Sequence, residues 1–406
     1  MNLKTTIAAG LAAATLTACN RPTDIISENI GNAKAQIGAL MEASEAGDTV
    51  RIPSTYMDGE IVYVPTDDWV SGFFAGTLWY MYELTGDEMW AGHARKHTEI
   101  LDSIQYLTWH HDVGFMIYDS YGNGLRLKNI PGYKDVCVNT AKSLSTRFRP
   151  GAGIIQSWNV DRGWQSERGW KCPVIIDNMM NLELLFKATE FSGDSTYAKI
   201  AISHADKTME NHFRPDYSCY HVVDYDPETG EVLHRCTAQG YADESAWARG
   251  QAWALYGYTA AYRFTGYDRY LRQAENVAGF IFNDPNMPED LVPYWDFDAP
   301  DIPDTYRDVS SAAIIASALY ELGYLTGNTS YFEKADRIIA SLSTPAYRAA
   351  QGTNGGFILM HSVGSIPHGS SIDVPLNYAD YYFLEALIRK RNIGNGLAPV
   401  QGDPEK

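Results

Sequence analysis

One punctuation mark recurs along this chain and limits what it can fold into. The apolar run Gly76 to Leu84 stops at Thr85-Gly86-Asp87, and a more charged segment follows from about Glu88 to Leu107. Leu182 to Phe186 leads to Ser192-Gly193-Asp194 and then to 195–212. Ala252 to Phe264 leads to Thr265-Gly266-Tyr267 and 268–283, and Ala312 to Leu325 leads to Thr326-Gly327-Asn328 and 330–343. A Gly fits a helix C-terminus, and an Asp or Asn just after it fits the N-cap of the next helix. The unit is therefore an αα-hairpin, and its repetition points to a ring of such hairpins. Helices over 24–46 and 375–391 flank the set.

Between the hairpins lie long connections, roughly 108–140, 150–175, 213–245, 284–308 and 344–374. Connections of this length inside a compact protein are usually functional. Short turns at one end and long loops at the other give a toroid with a plain face and a working face. The expectation is one all-α domain, 19–395, with a flexible tail over 396–406.

The net charge of −18 excludes a nucleic-acid binder, which needs a basic footprint. It also excludes gripping a long polyanion by bulk electrostatics, while leaving room for a small anion held by a few Arg and His residues. The 27 tyrosines and 10 tryptophans supply flat, polar-tipped rings suited both to core packing and to sugar faces.

The N-terminus is a targeting segment. Lys4 precedes an apolar stretch, Ile7 to Ala14, too short to span a bilayer. Leu16-Thr17-Ala18-Cys19 then looks like a bacterial lipobox, with residues 1–18 removed and Cys19 lipidated. The expectation is an exported protein, anchored in the periplasm or at the outer membrane of a Gram-negative bacterium, touching membrane only through Cys19. No other run is expected to be long and apolar enough to span a membrane. Cys137, Cys172, Cys219 and Cys236 show no metal-ligand spacing. Cys219 and Cys236 flank a hairpin, and the sequence leaves open whether they pair or stay free.

Two aspartates carry the strongest chemical signal. Asp112 lies in His110-His111-Asp112-Val113-Gly114-Phe115, and Asp177 in Ile175-Ile176-Asp177-Asn178-Met179-Met180-Asn181-Leu182. An Asp at a helix start is ordinarily an N-cap, and an Asp before Gly ordinarily marks a turn. Here each carboxylate is wedged among apolar residues, where charge is costly and desolvation raises the pKa. That makes Asp177 a candidate general acid. Arg249 and Trp253 are four residues apart and share a helix face, an arrangement suited to a carboxylated sugar. Arg307 and Asp308 have the pattern of an ion pair and cap at a helix start, and His361 and Asp380 read as rim or scaffold. No nucleophile elbow, Cys–His pair, metal constellation or nucleotide-binding glycine motif is present, so no cofactor or metal is expected.

In this order the motifs resemble the unsaturated glucuronyl hydrolases, glycoside hydrolase family 88. The resemblance runs from about Asp67 to Leu387. Its landmarks are Trp69 to Gly76, His111 to Phe115, Asp177 to Leu182, the block from Gln239 to Trp253, Tyr294 to Phe297, and Tyr306-Arg307-Asp308. It implies an (α/α)6 barrel. It implies a substrate oligosaccharide with a Δ4,5-unsaturated uronic acid at its non-reducing end, and hydration of that vinyl ether instead of displacement at the anomeric carbon. Asp177 would protonate C4, and Asp112 would hold sugar hydroxyls and tune Asp177. Trp69, His111, Trp158, His221, Gln239, Arg249 and Trp253 would line the site. The chain departs from some members in having Ala238, not His, before Gln239, and it diverges over 362–374. Linkage and sulfation preference are therefore left open. The sister family 105, acting on unsaturated rhamnogalacturonan, shares fold and chemistry. A conventional inverting glycosidase and a lipid-anchored glycan-binding protein are the other readings.

Overall fold

The computed structural model describes residues 24–402. The targeting segment, Cys19 and residues 403–406 lie outside the described residues. Helices alternate between an outer and an inner position. Ser71–Thr85, Ala248–Thr265, Val309–Thr326 and Asn377–Gly394 are buried almost all round and form most of the inner ring. Glu88–Glu99, Thr196–Asn211, Asp268–Asn283 and Thr329–Leu342 bury one face only and form the outer ring. Successive inner helices pack side by side, and Asn377–Gly394 packs on Ser71–Thr85 to close the circle. This is the (α/α)6 barrel that the family resemblance implies, and it agrees with the ring of hairpins read from the turns. Val309–Thr326 is long and apolar enough to cross a bilayer, which the sequence reading missed, but it is an inner helix enclosed by protein.

The recurring turn has a physical logic. Gly86, Gly193, Gly266 and Gly327 all take left-handed backbone angles, with φ between 66° and 75°. The Thr or Ser just before each Gly accepts the N–H two residues on, at 3.1–3.2 Å in all four turns. Asp87 and Asn328 then cap the next helix through the N–H groups of Met89 and Ser330. Each short turn thus reverses the chain from inner to outer ring with its backbone groups satisfied.

The opposite rim carries the long outer-to-inner connections, and they are built from short antiparallel pieces. Ile52–Met57 pairs with Glu60–Val64, and Ser362–Ser365 with Ser370–Val374. Pro173–Ile175, Val222–Tyr225 and Val232–Cys236 form a three-stranded sheet. One expected loop was misread. Residues 108–140 contain an inner helix in three segments: Val113–Ile117, a π-helical turn Tyr118–Gly122, and Asn123–Lys128. The outer helix Tyr133–Ser145 follows. Gly114, Gly122 and Gly124 lower helix propensity there. They are present because neighbours press against them: a Cβ on Gly114 would strike Asn181, and one on Gly124 would strike Tyr133 and Trp79.

Part of the C-terminal stretch is also packed. Pro399 is buried and its carbonyl accepts from Asn392 Nδ2 at 3.2 Å. All four described cysteines are free thiols.

Gly72 tests the tightness of the inner ring. A Cβ there would collide with the backbone carbonyls of Phe115 and Met116, which have no side-chain freedom to yield. Gly72→Ala is expected to lower stability by about 1–3 kcal/mol, read as a fall in the denaturation midpoint.

Candidate active site

Asp177 is carried by a 3-10 turn, Ile176–Asn181, which runs straight into the inner helix Leu182–Ser192. Its side chain does not cap that helix. Asp112 sits at the start of the preceding inner helix, again without a capping bond. Both are nearly buried, at 7% and 6% exposure, and both line one hollow of about 300 Å³. Trp69, Trp158 and Gln239 line the same hollow.

Asn181 joins the two motifs. Its Nδ2 donates to Asp112 Oδ1 at 3.0 Å, and its Oδ1 accepts from the Phe115 N–H at 3.1 Å. Gly114 provides the room for this approach. Asn181 lies within the Asp177 motif, and the sequence alone does not assign it this role. The available signal was its spacing of four from Asp177, which carries it one helical turn on.

Burial pushes both carboxyls up. Asp177 rises to about 6, with the Arg249 guanidinium and the nearby Trp253 indole opposing the shift. Asp112 rises to about 8, through burial and the negative charge of Asp177, against the Asn181 hydrogen bond. The pair therefore splits as expected for neighbouring carboxylates, but the higher value falls on Asp112. Two charges act in that direction: Arg249 lowers Asp177, and Asp177 raises Asp112.

Two histidines stand behind the carboxylates as neutral groups. His221 is fully buried and kept well below its ordinary pKa, first by burial and then by Arg249. Its Nδ1 accepts from the N–H groups of Ala238 and Gln239 at 3.1 and 3.2 Å. That assigns the proton to Nε2, which faces Asp177 Oδ2 at 3.7 Å. His111 Nε2 lies 3.2 Å from Asp112 Oδ2, and burial likewise keeps His111 neutral. No metal-binding group of His, Cys, Asp and Glu is present among the described residues.

Arg249 is placed differently from its sequence reading. It is 1% exposed and stacks over Trp247 at 4.4 Å, not on Trp253. Its Nη1 donates to Asp308 at 3.2 Å and to the Val363 carbonyl, and its Nη2 to the Gly364 carbonyl at 2.6 Å. Asp308 also accepts from the Val363 N–H at 3.3 Å and caps its helix at Ser310, as its position suggested. The buried ion pair thus pins the Ser362–Ser365/Ser370–Val374 hairpin over the site. Trp253 lies beneath the floor, fully buried, packed on Phe115 and Tyr382.

The hairpin brings Ser365, His368 and Ser370 to the hollow, and the 159–169 loop brings Trp164 and Gln165. Trp164 and His368 meet across the mouth with ring centroids 4.9 Å apart. These wall residues were not singled out from sequence, apart from the divergence noted over 362–374.

Comparison with known proteins gives the family. The model for Glycosyl Hydrolase Family 88 matches residues 51–398. The chain belongs to glycosyl hydrolase family 88. An unsaturated glucuronyl hydrolase of Formosa agariphila is 47% identical to this family 88 chain over 338 residues, covering 82% of this chain and 83% of that protein. One from Bacillus sp. strain GL1 is 36% identical over 343 residues, covering 82% and 89%. A crystal structure of an unsaturated glucuronyl hydrolase specific for heparin superposes with a TM-score of 0.87 at 45% identity, covering 92% of this chain and 98% of that one. This family 88 protein is a glycoside hydrolase.

Asn181→Ala removes the buried donor to Asp112 and the acceptor for Phe115. It is expected to cost about 1–3 kcal/mol of stability and to move the Asp112 pKa further up. Chemical denaturation and carboxyl titration by NMR check the two effects separately.

Proposed function

We propose that the enzyme removes the Δ4,5-unsaturated uronic acid from the non-reducing end of lyase-generated oligosaccharides. The observation that carries this reading is the pair of buried, pKa-raised carboxyls opening into one aromatic-walled hollow. Relatives named for the same activity support it.

The steps balance with one water. Protonated Asp177 gives its proton to C4, and the C4=C5 electron pair forms the new C4–H bond. Positive charge develops at C5 and is shared by the ring oxygen. Water adds at C5 and returns a proton to Asp177. The C5 hemiketal opens to a ketone, leaving a hemiacetal at C1 that expels the remaining sugar chain. The anomeric carbon is not attacked, so the carboxylate-separation rule for inverting and retaining enzymes does not apply. Neutral Asp112 both donates to and accepts from sugar hydroxyls. The His221 Nε2–H supports the Asp177 carboxylate that forms after proton transfer. Arg249 limits the rise in the Asp177 pKa, so the acid remains strong enough to protonate carbon.

The test uses unsaturated disaccharides and follows loss of the ultraviolet absorbance of the conjugated double bond. Turnover supports the proposal, and no loss with any uronyl disaccharide contradicts it. Asp177→Asn is expected to lower kcat by at least roughly 10²–10⁴-fold with substrate binding retained. The active form is protonated, so it is present below the Asp177 pKa and lost above it. The basic limb of kcat against pH should lie near 6.

We also propose export and lipid anchoring through Cys19, on the strength of the Leu16 to Cys19 motif. Cys19→Ala should move the protein from the membrane fraction to the soluble fraction. An unchanged distribution contradicts the anchor.

A further inference from the structure

A second hollow, of about 50 Å³, lies between the inner helices toward the plain end of the barrel. Trp253 of the catalytic floor packs on Tyr382, Tyr382 on Tyr381, and Tyr381 lines this hollow. Its surroundings are charged. Arg126 pairs with Glu83 at 2.6 Å, Arg263 with Glu183 at 2.7 Å, and Arg389 with Glu321 at 3.0 Å. The Tyr80 and Tyr256 hydroxyls both donate to Glu385, at 2.9 and 3.0 Å. Each of these bonds joins two different inner helices. Such pairs attract more strongly where water is kept out, and a partner left alone there is costly. The mechanism above does not use them.

Residues 397–402 run across the mouth of this hollow. The helix Asn377–Gly394 ends at the plain rim, and Gly396, with φ 74°, turns the chain back. The Leu397 N–H donates to the Asn392 carbonyl at 2.9 Å, and Asn392 Nδ2 donates to the Pro399 carbonyl. Pro399, Val400 and Gln401 line the hollow. Gly402 packs so closely on Arg126 that a Cβ there would lie 3.0 Å from its Cγ. The Gly402 carbonyl accepts from Lys187 Nζ at 3.5 Å. The segment thus leaves the last inner helix and reaches Asn123–Lys128 and Leu182–Ser192 on the other side of the mouth. Its hold is light beside the packing of whole helices, and Leu397 remains half exposed. Segments with few bonds and exposed apolar groups are the ones that open locally.

We propose that residues 397–402 form a latch across the plain end of the barrel. Docked, the latch keeps water from the buried ion pairs and holds the inner-helix ends together. Undocked, it lets that end open locally while the working rim stays closed. The Trp253–Tyr382–Tyr381 layer separates the latch from Asp112 and Asp177, so the two ends of the barrel open independently.

The experiment measures amide hydrogen exchange by mass spectrometry on the full chain and on a chain ended after Gly396. Segments 80–85, 118–128 and 385–394 report the plain end, and segments 173–181 and 309–314 report the working rim. In the shortened chain the plain-end segments should exchange at least about tenfold faster, the equivalent of one or two net hydrogen bonds lost. The working-rim segments should exchange as in the full chain. Unchanged exchange at the plain end overturns the latch. So does exchange accelerated by the same factor at both ends, because the segment would then be one more part of a single cooperative unit. If the shortened chain does not fold, the full-length variant Val400→Glu decides by the same readings, since it sets a further carboxylate beside Glu83 and Glu183 in the hollow and disfavours docking. Failure of both variants to fold also overturns the latch, because the segment would then be inseparable from the barrel.

Discussion

The site depends on keeping two carboxyl groups out of water within one hollow. Neither Asp112 nor Asp177 caps its helix, so neither is stabilised as an anion in the usual way for an Asp at that position. Burial favours the neutral acid, and proximity makes the second ionisation harder than the first. The barrel provides this by geometry. Adjacent inner helices start at the same rim, so residues at their starts converge on the ring axis. Gly114 lets Asn181 reach across, and a single amide then fixes both the Asp112 carboxyl and the backbone that follows it.

Arg249 connects that chemistry to recognition. It holds down the Asp177 pKa by its charge, and it holds the Ser362–Ser365/Ser370–Val374 hairpin by its hydrogen bonds. Asp308 offsets the buried charge and grips the same hairpin through the Val363 N–H. A buried guanidinium of this kind is costly unless every charge is paired, which is a reason for Asp308 to accept from several donors at once. One ion pair therefore acts on the Asp177 carboxyl and fixes the position of one wall of the hollow. A change in the hairpin's docking would be felt at the acid.

The sequence made the barrel legible because its turns are local. The Thr/Ser-Gly turn is settled within a few residues, and the structure keeps its side-chain bond in all four such turns. Asp112 and Asp177 stand out by their dense motifs, Trp69, Trp158 and Gln239 by the family resemblance, and all five line one hollow. The inner helix over Val113–Lys128 was not, because three glycines demanded by its neighbours erase the helical signal. Nor was the true setting of Arg249. A spacing of four predicts a shared face with Trp253, but the guanidinium turns to partners more than fifty residues away in sequence, such as Asp308 and Gly364. Contacts of that range leave no periodic trace. The Trp164–His368 meeting across two loops is invisible for the same reason.

The central claim is that a proton from Asp177 reaches a carbon atom, not a glycosidic oxygen. Turnover of an unsaturated disaccharide in deuterium oxide, with the product examined by NMR and mass spectrometry, tests it most directly. The account predicts one deuterium on C4 of the released uronic acid product and loss of the double bond in the same event. Release of an intact unsaturated uronic acid, carrying no deuterium at C4, would contradict it.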